Sequence, residues 1–148
     1  MMNKITKGGC VMQELFHPTM NPAQLQAMSV LGLAHMGDCV FELLVRTRVC
    51  LSGMGKSEHL HRATVEHVSA PAQAVFLDAI LPCLTEEELA MYRRGRNAHV
   101  HAIPKNATHG QYAKATGLEA LLGSLYLSGR RDRIEELFAI GWEAQHAL

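Results

Sequence analysis

The segment from residue 30 to residue 51 most constrains what this chain can become. Leucine, valine, alanine, methionine, phenylalanine and glycine dominate it on every helical face. A helix that is apolar all round has to be surrounded by other elements, so this segment predicts a central buried helix. A bilayer is not the surroundings it needs. The longest apolar run, near Val30 to Met36, is broken by Gly32 and His35, well short of the ~18 residues of a spanning helix. Nor does the N-terminal stretch read as a secretory leader, because Lys4 and Lys7 are followed by Gly8, Gly9 and Glu14 rather than by an apolar core.

The partners of that helix must come from the rest of a single domain. The chain has 148 residues, 48% hydrophobic and 19% charged, a composition that supports one packed core and excludes a disordered or acidic-tail protein. The first 20 residues are weakly patterned and read as a flexible lead-in; the folded domain spans 21–148. Helix signals then follow one another with no alternating β-branched run. Asn21-Pro22 opens a short helix to about Ala27. The long helix, from about Ser29, ends at Ser52-Gly53. Further helices are expected over about 57–68, from Ser69 to about Ile80, and from the Thr85/Glu88 capping box to about Arg94. After a polar loop, 95–110, come helices over about 111–127 and from about 131 to the C-terminus. The fold class is all-α. Cys10, Cys39, Cys50 and Cys83 have no C-x-x-C spacing and read as reduced core thiols in a cytoplasmic protein. Met28, Met36 and Met91 read as core filler.

Charge is balanced, with 14 basic and 14 acidic residues, but not evenly spread. From Leu89 to Leu118 there is no acid, against five bases (Arg93, Arg94, Arg96, Lys105, Lys114) and three histidines (His99, His101, His109). Beside Asn97, Asn106, Gln111 and Tyr112, such a loop suits contacts to phosphate and sugar. A solvated surface loop is the plainer account of a charge run.

The acids narrow the chemistry. Eleven of the 14, Glu88 among them, fall in polar or amphipathic segments open to solvent. Asp38, Glu42 and Glu119 instead lie in the two most apolar helices, where an unpaired carboxylate costs several kcal/mol. Asp38 and Glu42 share a face. Glu42 has Arg46 one turn on, so either an ion pair or a metal accounts for it. Asp38 and Glu119 have no lysine or arginine three or four positions away. For them a divalent ion shared between helices is the better account, with Gly37, Gly117 and Gly123 allowing close approach. Oxygen-only ligands select a hard ion, Mg²⁺ or Mn²⁺, the class that assists phosphodiester hydrolysis. The pairs His59/His61 and His99/His101 are spaced two apart and do not make a zinc site, and Cys39 has no base that would make it a nucleophile.

Leu31-Gly-Leu-Ala-His-Met-Gly-Asp38-Cys-Val-Phe-Glu42 resembles the signature helix of the ribonuclease III family, and Arg62-Ala-Thr64 with Val68-Ser-Ala-Pro-Ala-Gln-Ala74 resembles its next helical pair. Tyr92-Arg-Arg-Gly-Arg-Asn-Ala98, Pro104-Lys-Asn106 and Thr116-Gly-Leu-Glu-Ala-Leu-Leu-Gly-Ser-Leu-Tyr-Leu127 are similar to the short Mini-ribonuclease III branch, which lacks a double-stranded-RNA-binding domain. The resemblance covers about residues 20–148. It implies a helical endonuclease domain acting as a homodimer, Mg²⁺-dependent, that cuts both strands of duplex RNA. It also implies a substrate, the precursor of large-subunit (23S) ribosomal RNA, with a ribosomal protein as a further partner. Asp38 and Glu119 fall on the family's metal-binding acids, with Glu42 as a third candidate. Arg94, Arg96, Asn97 and Lys105 fall on the branch's RNA-binding loop. Where longer members carry two more acids, this chain has Ala34 and Thr116, as the short branch does. Coordination then leans on water and RNA phosphate. A catalytically silent duplex-RNA-binding dimer and an ion-paired structural domain are the competing readings.

Overall fold

The computed structural model describes residues 6–7, 10–11, 14–53, 55–98, 105 and 108–147. Its helices are α1 (Pro22–Ala27), α2 (Val30–Leu51), α3 (Ser57–Val68), α4 (Ala70–Ile80), α5 (Glu86–Arg96), α6 (His109–Leu127) and α7 (Arg131–His146). A single 3₁₀ turn, Leu81–Cys83, follows α4. The all-α expectation holds, with one small addition in the lead-in: β1 (Thr6–Lys7) pairs antiparallel with β2 (Cys10–Val11).

Local chemistry sets the boundaries. Asn21 with Gln24, Thr85 with Glu88, and Thr108 with Gln111 each form reciprocal capping boxes, satisfying backbone N–H groups that would otherwise be orphaned. Ser29 and Ser69 cap α2 and α4. Gly53 and Gly129, at φ +83° and +79°, take the left-handed conformation that ends α2 and α6.

The centre of the molecule is α6, not α2. From Ala115 to Leu125 every residue of α6 except Glu119 is buried, and α2, α4, α5 and α7 pack around it. One side of α2 enters the core through Leu33, Val40, Phe41, Val45 and Val49. Its other side, with Leu31, Cys39, Leu43 and Cys50, stays exposed. Apolar composition alone could not separate a helix wrapped on all sides from one whose second apolar face is left uncovered by its own chain. The same finding corrects the cysteine reading: Cys39, Cys50 and Cys83 are free but exposed. Met28, Met36 and Met91 do pack against the core.

Part of the expected loose lead-in is tied down. The Tyr126 hydroxyl donates to the Leu15 carbonyl, and Met20 N–H donates to Leu127 O at 2.7 Å. Residues 14–20 therefore run along the C-terminal end of α6.

Candidate active site

Glycine makes the site by letting two backbones touch. A Cβ at Gly37 would land on the Glu119 carbonyl, and one at Gly123 on the Leu33 carbonyl. The crossing of α2 and α6 thus has no room for side chains at either point, and it brings Asp38 beside Glu119. Gly117 plays the same part where α6 meets the Tyr92 ring of α5.

The charge of Asp38 is felt at Glu119. Glu119 is half-buried, and its pKa is pushed up to about 8, first by burial and then by the negative charge of Asp38; the nearby Gln73 side chain opposes the rise. Asp38 is also raised, by desolvation and then by Glu42, with partial relief from His35. Asp38 itself sits on the open side of α2 rather than in the interior. Among the described residues neither carboxyl has a lysine or arginine ion pair, whereas Glu42 does: Arg46 Nη2 lies 2.6 Å and Nε 3.0 Å from its Oε1. Of the two accounts open for Glu42, the ion pair is the one formed.

The donor set fits a hard cation, incompletely. Asp38 and Glu119 come near one another, and among the described residues neither is paired with a lysine or arginine. No group of three or more Asp, Glu, His or Cys that could hold a metal occurs among the described residues. Ala34 is buried, and so is Thr116, whose hydroxyl donates to Tyr112 O at 2.9 Å; neither position supplies a ligand. Mg²⁺, which retains several waters and needs few carboxylates, matches such a site better than Ca²⁺ or Zn²⁺.

The basic side of the site is described only in part, since residues 99–104 and 106–107, with His99, His101 and Asn106, lie outside the described residues. Arg96 and Asn97 end α5 in the open, with Arg96 Nε 3.2 Å from Asn97 Oδ1 and its guanidinium over the Tyr92 ring. Lys105 is exposed. Arg94 is turned inward: Nη2 donates to the Met28 carbonyl at 2.6 Å, and Nη1 is buried without a partner. Lys114 is engaged with Asp78 at 2.9 Å.

Three groups escaped the reading of the sequence. His35, three residues before Asp38, lowers its pKa, a local effect that lysine and arginine spacing alone does not reveal. Gln73, in α4, carries no charge to draw attention. Glu88, grouped with the solvent-exposed acids, is only 2% exposed and holds Arg133 at 2.8 Å, a pairing across 45 residues that no local spacing reveals.

The arrangement has relatives. Residues 31–130 match the Ribonuclease III domain family. The chain is 43% identical to Mini-ribonuclease 3 of Symbiobacterium thermophilum, over 79% of this chain and 88% of that protein. It is 45% identical to that of Enterococcus faecalis, over 76% and 85%, and 42% identical to that of Gloeobacter violaceus, over 86% and 92%. Among solved structures, a Fusobacterium nucleatum protein superposes with TM-score 0.74 at 27% identity, covering 82% of this chain and 97% of that one.

Proposed function

Because the chain belongs to the ribonuclease III family, in its Mini-ribonuclease 3 branch, we propose that it is an endoribonuclease that cuts double-stranded RNA with Mg²⁺ held by Asp38 and Glu119. The observation that carries the metal assignment is the approach of these two carboxyls across a glycine-lined crossing, with no lysine or arginine paired to either among the described residues. A hard divalent ion bound there supplies charge neutralisation and polarises water and phosphate for hydrolysis.

The chain's own residues do the rest. Asp38 and Glu119 present oxygen ligands from two helices whose spacing is fixed by Gly37 and Gly123. Arg46 holds Glu42 aside from that pair while leaving its charge near Asp38. Arg96 and Asn97, exposed at the end of α5, and exposed Lys105 are suited to phosphates and 2′-hydroxyls, the features by which duplex RNA is read. Arg94 contributes by bracing α5 to the α1–α2 junction.

Further parts of the reading have their own support. The exposed side of α2, with Leu43 57% exposed, is an apolar surface that a second copy would cover. A twofold dimer would set one site against each strand of a duplex. Free Cys39, Cys50 and Cys83 suit a reducing cytoplasm, and no described helix is long and apolar enough to cross a membrane. The branch's implied substrate is the base-paired end of a 23S ribosomal RNA precursor, with a ribosomal protein as helper.

End-labelled duplex and single-stranded RNA, incubated with Mg²⁺ or EDTA and with wild type or Asp38→Asn, test the reading. Cleavage of duplex only, with metal only and by wild type only, is the expected result. Binding of duplex without cleavage in any lane would instead establish the silent RNA-binding dimer.

A further inference from the structure

One buried polar side chain beside the site is only half satisfied by the protein. Gln73 of α4 is 2% exposed. Its Nε2 donates to the Val68 carbonyl at 3.0 Å, while its Oε1 is buried without a partner among the protein atoms. An orphaned buried acceptor costs about 1–3 kcal/mol, and a leucine or methionine would fill the same space without that cost. The other orphaned side-chain atoms among the described residues are accounted for more simply. Gln145 and Arg94 clamp the Ala72 and Met28 carbonyls, at 2.8 and 2.6 Å, and each is left with one spare atom.

What distinguishes Gln73 is its neighbour. The Gln73 side chain is also near enough to the Glu119 carboxyl to favour its ionised form. A primary amide nitrogen has two hydrogens: one goes to Val68, and the other is available to the carboxylate. Gln73 is held by the last residue of α3, sits in the first turns of α4 and meets a residue of α6, so three elements fix its position.

We propose that Gln73 is a positioning residue that, anchored on Val68, orients the Glu119 carboxylate toward the divalent ion in a site lacking further acidic ligands. This rests on the assignment of Asp38 and Glu119 as metal ligands. Outer partners of ligating side chains typically change metal affinity by roughly 10–100-fold when removed.

The test is Mn²⁺ binding followed by electron paramagnetic resonance, on folded, RNA-free protein checked by circular dichroism. It uses wild type, Glu119→Gln and Gln73→Met, with Gln73→Leu replacing the last if it does not fold. The expected result is binding by wild type, loss in Glu119→Gln, and at least ~10-fold weakening in Gln73→Met. In cleavage assays Gln73→Met would shift the Mg²⁺ concentration for half-maximal rate more than the rate at saturating Mg²⁺. Mn²⁺ affinity of folded Gln73→Met within about twofold of wild type would overturn the proposal and leave Gln73 as a brace for Val68. Equal binding by wild type and Glu119→Gln would instead overturn the metal site itself. A crystal structure of the wild type with Mn²⁺ gives an answer independent of any variant: the Gln73 amide hydrogen-bonded to Glu119 is expected, and an amide turned away from it contradicts the proposal.

Discussion

Two glutamates in this molecule are taken out of water, and the fold treats them in opposite ways. Glu88 accepts hydrogen bonds from Arg133 at 2.8 and 3.0 Å and from the Thr85 N–H at 3.0 Å, and Arg130 lies 4.0 Å away. Burial works to raise its pKa, but these partners outweigh it and hold the carboxyl below its ordinary value. Glu119 has burial and a second carboxylate, and its pKa rises to about 8. A structural carboxylate is surrounded by donors from its own chain. Glu119 lacks that shell, as expected of a group whose counter-charge comes from outside.

The largest effect is expected on the compensated side. Arg133→Ala leaves Glu88 buried without its main partner and should cost about 3–5 kcal/mol of stability, read as a lower midpoint in urea. Cleavage per folded molecule should be unchanged.

On the other side, Glu119→Gln should stabilise the metal-free protein at alkaline pH. Between the ordinary carboxyl pKa of 4.5 and about 8, the folded state holds a proton that the unfolded state has lost. Stability from this group therefore falls as pH rises through that window and is flat above it. The glutamine variant should lack that slope and exceed wild type by roughly 2–5 kcal/mol at pH 9, measured by denaturation at a series of pH values. Glu88 carries the opposite slope, its contribution being present above the ordinary carboxyl range and lost as pH falls below it.

Gly37→Ala sharpens the comparison, since its Cβ would strike the Glu119 backbone. Overpacking of this kind costs about 1–3 kcal/mol. Cleavage should fall further than the thermal shift accounts for, because the two carboxyls are moved apart. The smallest effect is expected for Thr85→Ala, which removes the α5 cap and should cost about 1 kcal/mol with cleavage intact.

Much of this was legible in the sequence because it is local. Capping residues, terminal glycines and helical periods mark α1 to α7 to within a few residues, and Asp38 and Glu119 stand out as acids in apolar helices. What was not legible depends on partners distant in sequence. The burial of Glu88 depends on Arg133 in α7, and the role of Gln73 on a residue of α6. Which of two apolar helices lies at the centre depends on how many neighbours each receives. Arg94 likewise reads as a surface base until the Met28 carbonyl is brought to it.

The most direct test follows the Glu119 and Glu88 side-chain carboxyl signals by ¹³C NMR through a pH titration, with and without Mg²⁺. The account predicts that metal-free Glu119 titrates near 8 and drops into the ordinary carboxyl range or below when Mg²⁺ is added, while Glu88 stays low and unmoved. Glu119 titrating as an ordinary carboxyl and ignoring Mg²⁺ would contradict it.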